Sequence, residues 1–170
     1  MAVLETERLL LCRWESADWR EFSAISSDPE VMRYINDGSL WSEQRTREFV
    51  ERQRILFATR SFCRWKLVER SSGELAGFCG IGSLHGLADF EIGWWLARRF
   101  WGQGLATEAA RAALNDGFER ACLARIISLA QIQNVASIRV MEKIGMRRER
   151  ELEFRGRVVV QYSIERAPDY

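Results

Sequence analysis

One α/β (α+β) domain, with a mixed and mostly antiparallel sheet and helices on both faces, is what this sequence predicts. Three observations carry the prediction. Strand-like segments come in a run with helical segments between only some of them, and the chain closes on a hairpin, which together imply a mixed sheet rather than a bundle. Phe90 to Leu96 mixes β-formers and aromatics, whereas Leu105 to Phe118 is Ala-rich and Pro-free, so the residues between them form a strand-to-helix turn. The 170 residues, 47% apolar and 29% charged, suit a single globular domain spanning 1–170.

Arg8 to Trp14 opens with a leucine run and is predicted as the first strand. Ser16 is placed to cap a helix in which Trp19, Phe22 and Ile25 recur every three residues. Asp28-Pro29 breaks that helix, and Glu30 to Ile35 adds a short further turn. After the turn-forming Asn36-Asp37-Gly38-Ser39, Ser42 is a second cap. It starts an amphipathic helix to Thr59 with Phe49, Val50, Leu56 and Phe57 on one side. Cys63, Trp65 and Leu67 alternate with Arg64 and Lys66, the period of a half-buried strand, and Ser71 to Glu74 turns the chain into Leu75 to Gly82. Beyond the central turn and its helix, Arg125 to Gln131 is a strand and Ala136 to Ile144 a short helix closed by Gly145. Met146 to Glu153 and Val158 to Glu165 pair around Gly156.

Charge and composition exclude several functions. Lysine plus arginine number 25 against 24 acids, so no long-range field gathers nucleic acid or an anionic membrane. No apolar run approaches a membrane span and no basic-then-apolar leader opens the chain, which predicts a cytoplasmic protein. Cys12, Cys63, Cys79 and Cys122 form no Cys-x-x-Cys pair and are expected as buried, reduced thiols. The one histidine, His85, reads as a loop residue, so a metal site or a histidine-based triad is not expected.

The turn itself, Arg98-Arg-Phe-Trp-Gly-Gln-Gly104, carries the chemistry. Gly102 and Gly104 remove side chains where the backbone turns, so successive N–H groups can converge outside the helix N-terminus. The helix dipole and the charges of Arg98 and Arg99 favour an anion there, although a glycine turn also starts many helices without any ligand. A Walker loop needs Gly-Lys-Ser/Thr, which is absent. A dinucleotide fingerprint needs a third glycine where Thr107 stands and an acid on the following strand, and Arg125 to Gln131 has none.

The remaining spacing, Arg99-x-x-Gly102-x-Gly104, resembles the pyrophosphate loop of the GNAT superfamily of acyl-CoA-dependent N-acyltransferases. Thr6-Glu-Arg-Leu-Leu-Leu, Ser27-Asp-Pro-Glu-Val-Met-Arg-Tyr, Phe90-Glu-Ile-Gly-Trp-Trp-Leu, and Asn134-x-x-Ser137 with Glu142-Lys-Ile-Gly-Met resemble its RimJ/RimL-like branch, in the branch's order. The resemblance implies a splay between the Phe90 and Arg125 strands where the cofactor enters. It implies acetyl-CoA as cosubstrate, held by Arg99, Gly102, Gln103, Gly104 and Thr107, with Arg98 either a phosphate contact or a solvated charge. The tryptophans Trp94, Trp95 and Trp101 read as core.

By the same resemblance Asn134 reaches the pantetheine arm, though an asparagine there also suits a helix N-cap. Many GNAT enzymes place a tyrosine four residues after the serine, as the acid for the departing thiolate. Met141 stands there and cannot donate a proton, leaving Ser137 or water, unless Ser137 merely starts its helix. Attack on a thioester needs an unprotonated amine. Glu91 is the best candidate base and is otherwise an ion-paired strand carboxylate; Glu149, Glu151 and Glu153 are weaker candidates. No Cys or Ser sits beside a base as a covalent nucleophile would, so direct attack is expected. The acceptor is a protein N-terminus or a small amine such as an aminoglycoside, polyamine or amino acid, approached by loops at Asn36 to Trp41 and Phe154 to Arg157. The alternative is a non-catalytic CoA-binding or regulatory module. The protein could act alone or as a homodimer.

Overall fold

The computed structural model describes residues 2–60, 62–84 and 88–167, so His85 lies outside the described residues. Eight strands form one sheet. They are β1 (Ala2–Glu5), β2 (Leu9–Cys12), β3 (Arg64–Glu69), β4 (Leu75–Ser83), β5 (Phe90–Leu96), β6 (Arg125–Gln131), β7 (Arg147–Phe154) and β8 (Arg157–Glu165). Their spatial order is β1-β2-β3-β4-β5-β6-β8-β7, antiparallel throughout except where β5 meets β6. The helices are α1 (Trp19–Ser26), α2 (Pro29–Met32), α3 (Glu43–Arg60), α4 (Leu105–Glu119) and α5 (Val135–Lys143).

Two cores sandwich the sheet. On one face the alanine-rich side of α4, through Ala109, Ala110 and Ala113, lies close against Ile81, Ile92 and Ile126. On the other face α1 and α3 close an aromatic cluster of Trp14, Phe22, Phe49 and Phe78, with Trp41 and Trp95 packed against it. Trp41 and Trp95 meet edge to face at 4.7 Å, and Phe22 stacks on Phe49 at 5.4 Å, so this side is rigid as well as apolar. Covered on both faces, β4 is buried from Leu75 to Gly82, whereas β3 buries Trp65 and Leu67 and leaves Arg64 and Lys66 half-buried.

Several expectations are corrected. The strand expected over Arg8 to Trp14 is the shorter β2, and it is the second rather than the first: β1 precedes it, with only four residues and so little periodicity to mark it in the sequence. Ser16 does not cap: Glu15 and Asp18 form a reciprocal capping box at the 3₁₀ turn Ser16–Asp18 that precedes α1. Ser42 does cap α3, its hydroxyl accepting from the Arg45 N–H at 3.2 Å. Cys12, Cys63 and Cys79 are buried, but Cys122 is exposed, on the turn after α4 with a φ of 52°. Burial pushes the Cys63 thiol up to about 12, which leaves it unreactive at neutral pH. Trp101 is not core: its ring is 47% exposed and its Nε1–H donates to the Leu96 carbonyl at 2.8 Å, tying down the end of β5. No helix among the described residues is long and apolar enough to cross a membrane.

Candidate active site

The site begins where β5 and β6 part. They are paired only at Phe90 with Ile126 and Glu91 with Ile127. Beyond that the last tie is the buried Ser128 hydroxyl, which donates to the Ile92 carbonyl at 2.9 Å. From there to Leu96 and Gln131 the strands diverge, giving the splay expected between the central strands. A cleft of about 1070 Å³ opens along it, lined by Gly93, Trp94 and Trp95 of β5 and Ser128 to Gln131 of β6.

At the far end of β5 the chain makes a 3₁₀ turn, Arg98–Phe100, and then the two-glycine turn into α4. Gly102 and Gly104 have φ of 71° and 79°, left-handed values that a side chain would strain. The Glu108 N–H makes the first helical bond, to the Gly104 carbonyl at 3.1 Å. Among the described residues no protein acceptor meets the N–H groups of residues 102–107, so a run of unpaired donors lies at the N-terminus of α4. Such a donor set fits a pyrophosphate. Arg98 is exposed, Arg99 pairs with Glu74 at 3.1 Å, and the Gln103 amide donates to the Arg99 carbonyl at 2.7 Å. Thr107 is buried in the first turn of α4, so it offers its backbone N–H rather than an open hydroxyl.

A clamp missed in the sequence holds this turn from below. Glu108 accepts from the Thr6 hydroxyl at 2.6 Å and from the Arg8 N–H and Nε at 2.8 Å each, while Arg8 Nη1 donates to the Gln103 carbonyl at 2.8 Å. Burial works to raise the Glu108 carboxyl, but these donors outweigh it and hold it below the usual range. The signal lay in Thr6-Glu-Arg8, yet nothing in spacing alone connects it to residues about a hundred positions away.

Asn134 and Ser137 line the cleft from the start of α5. Asn134 is an N-cap, its Oδ1 accepting from the Ser137 N–H at 3.2 Å, so the capping role and a place at the cleft coexist. Ser137 is half-buried and its hydroxyl has no hydrogen-bond partner among the described residues. Met141, one turn further, is fully buried in the cleft's inner wall.

Glu91 lies on the face of β5 that carries Gly93 and Trp95, and it lines the cleft. It is ion-paired with Arg64, the two side chains 12% and 16% exposed. Burial raises the Glu91 carboxyl above the ordinary range, and the Arg64 guanidinium pulls it part of the way back. Arg64 was not singled out from the sequence, where it is one polar residue of an alternating strand.

The hairpin acids do not compete. Glu149 is held by Arg125, at 2.7 Å to each oxygen, and by Ser163 and Gln161, so its carboxyl falls to about 2. Glu151 pairs with Arg148, and none of Glu149, Glu151 and Glu153 lines the cleft.

Residues of both loops expected to approach the acceptor line the cleft: Asn36 and Trp41 on one, Phe154, Arg155 and Arg157 on the other. Gln131 fixes the first by donating to the Tyr34 and Asn36 carbonyls at 3.1 and 2.9 Å. Among the described residues no cluster of three or more His, Cys, Asp or Glu is gathered to hold a metal.

The family model for the acetyltransferase (GNAT) domain matches residues 8–147. An uncharacterised N-acetyltransferase of Bacillus subtilis, YnaD, is 36% identical over 146 residues, covering 86% of this chain and 83% of that one. The spermidine N(1)-acetyltransferase of Escherichia coli is 28% identical over 142 residues, covering 81% and 72%. In structure, a GNAT-family acetyltransferase from Bacillus anthracis superposes with a TM-score of 0.81 at 32% identity, over 95% of this chain and 97% of that one. RimL, a ribosomal-protein α-N-acetyltransferase solved with coenzyme A, shares the fold with a TM-score of 0.82 at 18% identity, over 97% and 98%. With its family model, its relatives and its splayed, glycine-turned site in agreement, this chain belongs to the GNAT family and is an acetyl-CoA-dependent N-acetyltransferase.

Proposed function

We propose that the protein transfers the acetyl group of acetyl-CoA to a primary amine by direct attack, in the cytoplasm, with Glu91 as general base and Ser137 as the donor to the departing sulfur. One observation carries the reading: a half-buried carboxylate on β5 and a hydroxyl on α5, unpartnered among the described residues, line the same cleft. Acetyl-CoA supplies the activated thioester. The N–H groups from Gly102 to Thr107 hold its pyrophosphate, with Arg98 and Arg99 adding positive charge, Gln103 bracing the turn and Asn134 reaching the pantetheine arm.

The amine must lose a proton before or as it attacks, since an ammonium has no lone pair. An α-amino group near pKa 8 needs modest help, and a lysine-like amine near 10.4 needs a base. Glu91, its carboxyl raised by burial, is a better proton acceptor than an exposed glutamate, while the Arg64 guanidinium beside it favours the ionised form. The Ser137 hydroxyl can donate to the sulfur as negative charge develops there, a role the neighbouring thioether of Met141 cannot fill.

The acceptor is a small amine or a protein N-terminus. The test is a panel of both, assayed for acetyl-CoA-dependent release of free thiol, with the mass of the product taken for each acceptor that responds. Release with any amine, with a mass gain of one acetyl group, supports the reading. Tight acetyl-CoA binding with no release across the panel would make the chain a non-catalytic CoA-binding module instead.

A further inference from the structure

We infer that the acceptor amine carries an anionic group, a carboxylate or a phosphate, which is seated by the guanidinium groups of Arg155, Arg157 and Arg52 at the mouth of the cleft. The inference rests on the acetyl-transfer reading above and adds what that reading leaves open.

Charge is the first observation. The chain as a whole is nearly balanced, 25 basic residues against 24 acidic, yet the cleft is lined by five arginines and only two carboxylates. Of the two, Glu91 is already neutralised by Arg64, and Glu48 accepts from the Gln44 amide on its own helix at 2.8 Å. The surplus is therefore local, and beyond the paired Arg64 it sits on α3, with Arg45 and Arg52, and at the β7–β8 turn, with Arg155 and Arg157.

Unused hydrogen-bond capacity is the second. Arg155 and Arg157 flank Gly156 at the β7–β8 turn. Each reaches across to the other loop with a single bond, Arg155 Nη1 to Asn36 Oδ1 at 3.0 Å and Arg157 Nη2 to the Asp37 carbonyl at 3.3 Å. A guanidinium has five donors, so both keep a free edge with the fork geometry that matches a carboxylate or phosphate. Arg52, on α3, has no hydrogen bond, ion pair or ring contact among the described residues. Trp41, which also lines the cleft, keeps a buried Nε1–H without a partner among the described residues. Among the charged side chains that line the cleft, guanidinium donors thus outnumber carboxylate acceptors.

These facts select an acceptor. A polyamine brings several positive charges into a cleft lined by five arginines and two carboxylates, and of those carboxylates only Glu48 is without an arginine partner among the described residues, so repulsion outweighs attraction. An amine that also bears an anionic group finds donors for that group, and the same guanidinium field disfavours the ammonium form of its amine, lowering its pKa beside Glu91.

The experiment compares kcat/KM within matched sets: free amino acids against their amides, phosphoethanolamine against ethanolamine, peptide N-termini followed by acidic against basic residues, and spermidine. At least one anionic member is expected to exceed its neutral partner by tenfold or more, and which set responds separates a carboxylate from a phosphate and a free amine from a peptide. The R155E/R157E variant should reverse that preference through the acceptor KM, and R52E alone should weaken it. Both sites are exposed, and a thermal melt verifies that each variant is folded. Turnover that is equal for charged and neutral partners, or fastest with spermidine, would overturn the inference and leave acetyl transfer standing. Release from no amine at all would instead remove the acetyl-transfer reading, and this inference with it.

Discussion

At the scale of single residues, the proposed chemistry rests on the pair Glu91 and Arg64. A base works only when ionised, and burial raises the Glu91 carboxyl. The acidic limb of the pH profile of kcat/KM should therefore lie above the ordinary glutamate range, with activity lost as pH falls through it. Arg64→Met removes the group that pulls the carboxyl back down, so the limb should move to higher pH. A limb that stays in place would show that Glu91 is not the titrating base. Glu91→Gln keeps the shape and removes the proton acceptor, so kcat/KM at neutral pH should fall by roughly 10² or more, with much of it recovered at high pH where free amine is plentiful. For Ser137→Ala the expected signature differs: kcat down roughly tenfold or more with the KM for acetyl-CoA nearly unchanged, because the bond to sulfur matters chiefly as the thiolate departs. An unchanged kcat, with chemistry rate-limiting, would reduce Ser137 to the residue that its neighbour Asn134 caps.

The element to which we assign cofactor binding is the turn from β5 into α4. Its six N–H groups without an acceptor among the described residues can converge on a pyrophosphate only if the backbone keeps its left-handed steps at Gly102 and Gly104. A Cβ at Gly104 would meet only Arg8 Nη2, at 3.6 Å, so the first obstacle to a side chain there is the backbone angle rather than crowding. Gly104→Val should cost about 1–3 kcal/mol of stability through that strain. It should also abolish acetyl-CoA binding measured by calorimetry, because the branched side chain occupies the space the pyrophosphate needs. Equal affinity in the variant would separate the turn from the cofactor. The clamp of Thr6, Arg8 and Glu108 ties the β1–β2 turn to the first turn of α4, so the loop is braced by the start of the chain as well as by its own glycines.

For the whole molecule, the sheet is closed by two cores of different character and left open at one seam. The alanine face of α4 and the aromatic cluster under α1 and α3 pack the sheet on both sides, while β5 and β6 share only two paired positions. A ligand that enters the seam binds the folded form alone and should stabilise it. At acetyl-CoA 100 times its Kd, the gain is about 2.7 kcal/mol. For a domain of this size that corresponds to a Tm rise of roughly 5–10 °C, and Gly104→Val should remove the rise. A wild-type melt that does not respond to acetyl-CoA would contradict cofactor binding at the seam.

What the sequence determined by itself was local. Phe90–Leu96 and Arg125–Gln131 coincide with their strands, and the glycine turn falls where it was expected, because β-branched and aromatic runs, glycine and helix formers act through neighbours in the chain. The family motifs added the splay and the candidates Glu91, Asn134 and Ser137, all of which the fold brings to one cleft. Only the tertiary structure decided which groups they face. Arg64 meets Glu91 across 27 positions, Arg8 meets Glu108 across 100, and Arg155 meets Asn36 across 119. Pairing at such separations follows from sheet order and helix placement, and a charged residue in an alternating strand or a turn carries no mark of its distant partner. The same holds for Glu149. In sequence it is one of three alternating acids, and the neighbouring strands alone supply the arginine, serine and glutamine that occupy it.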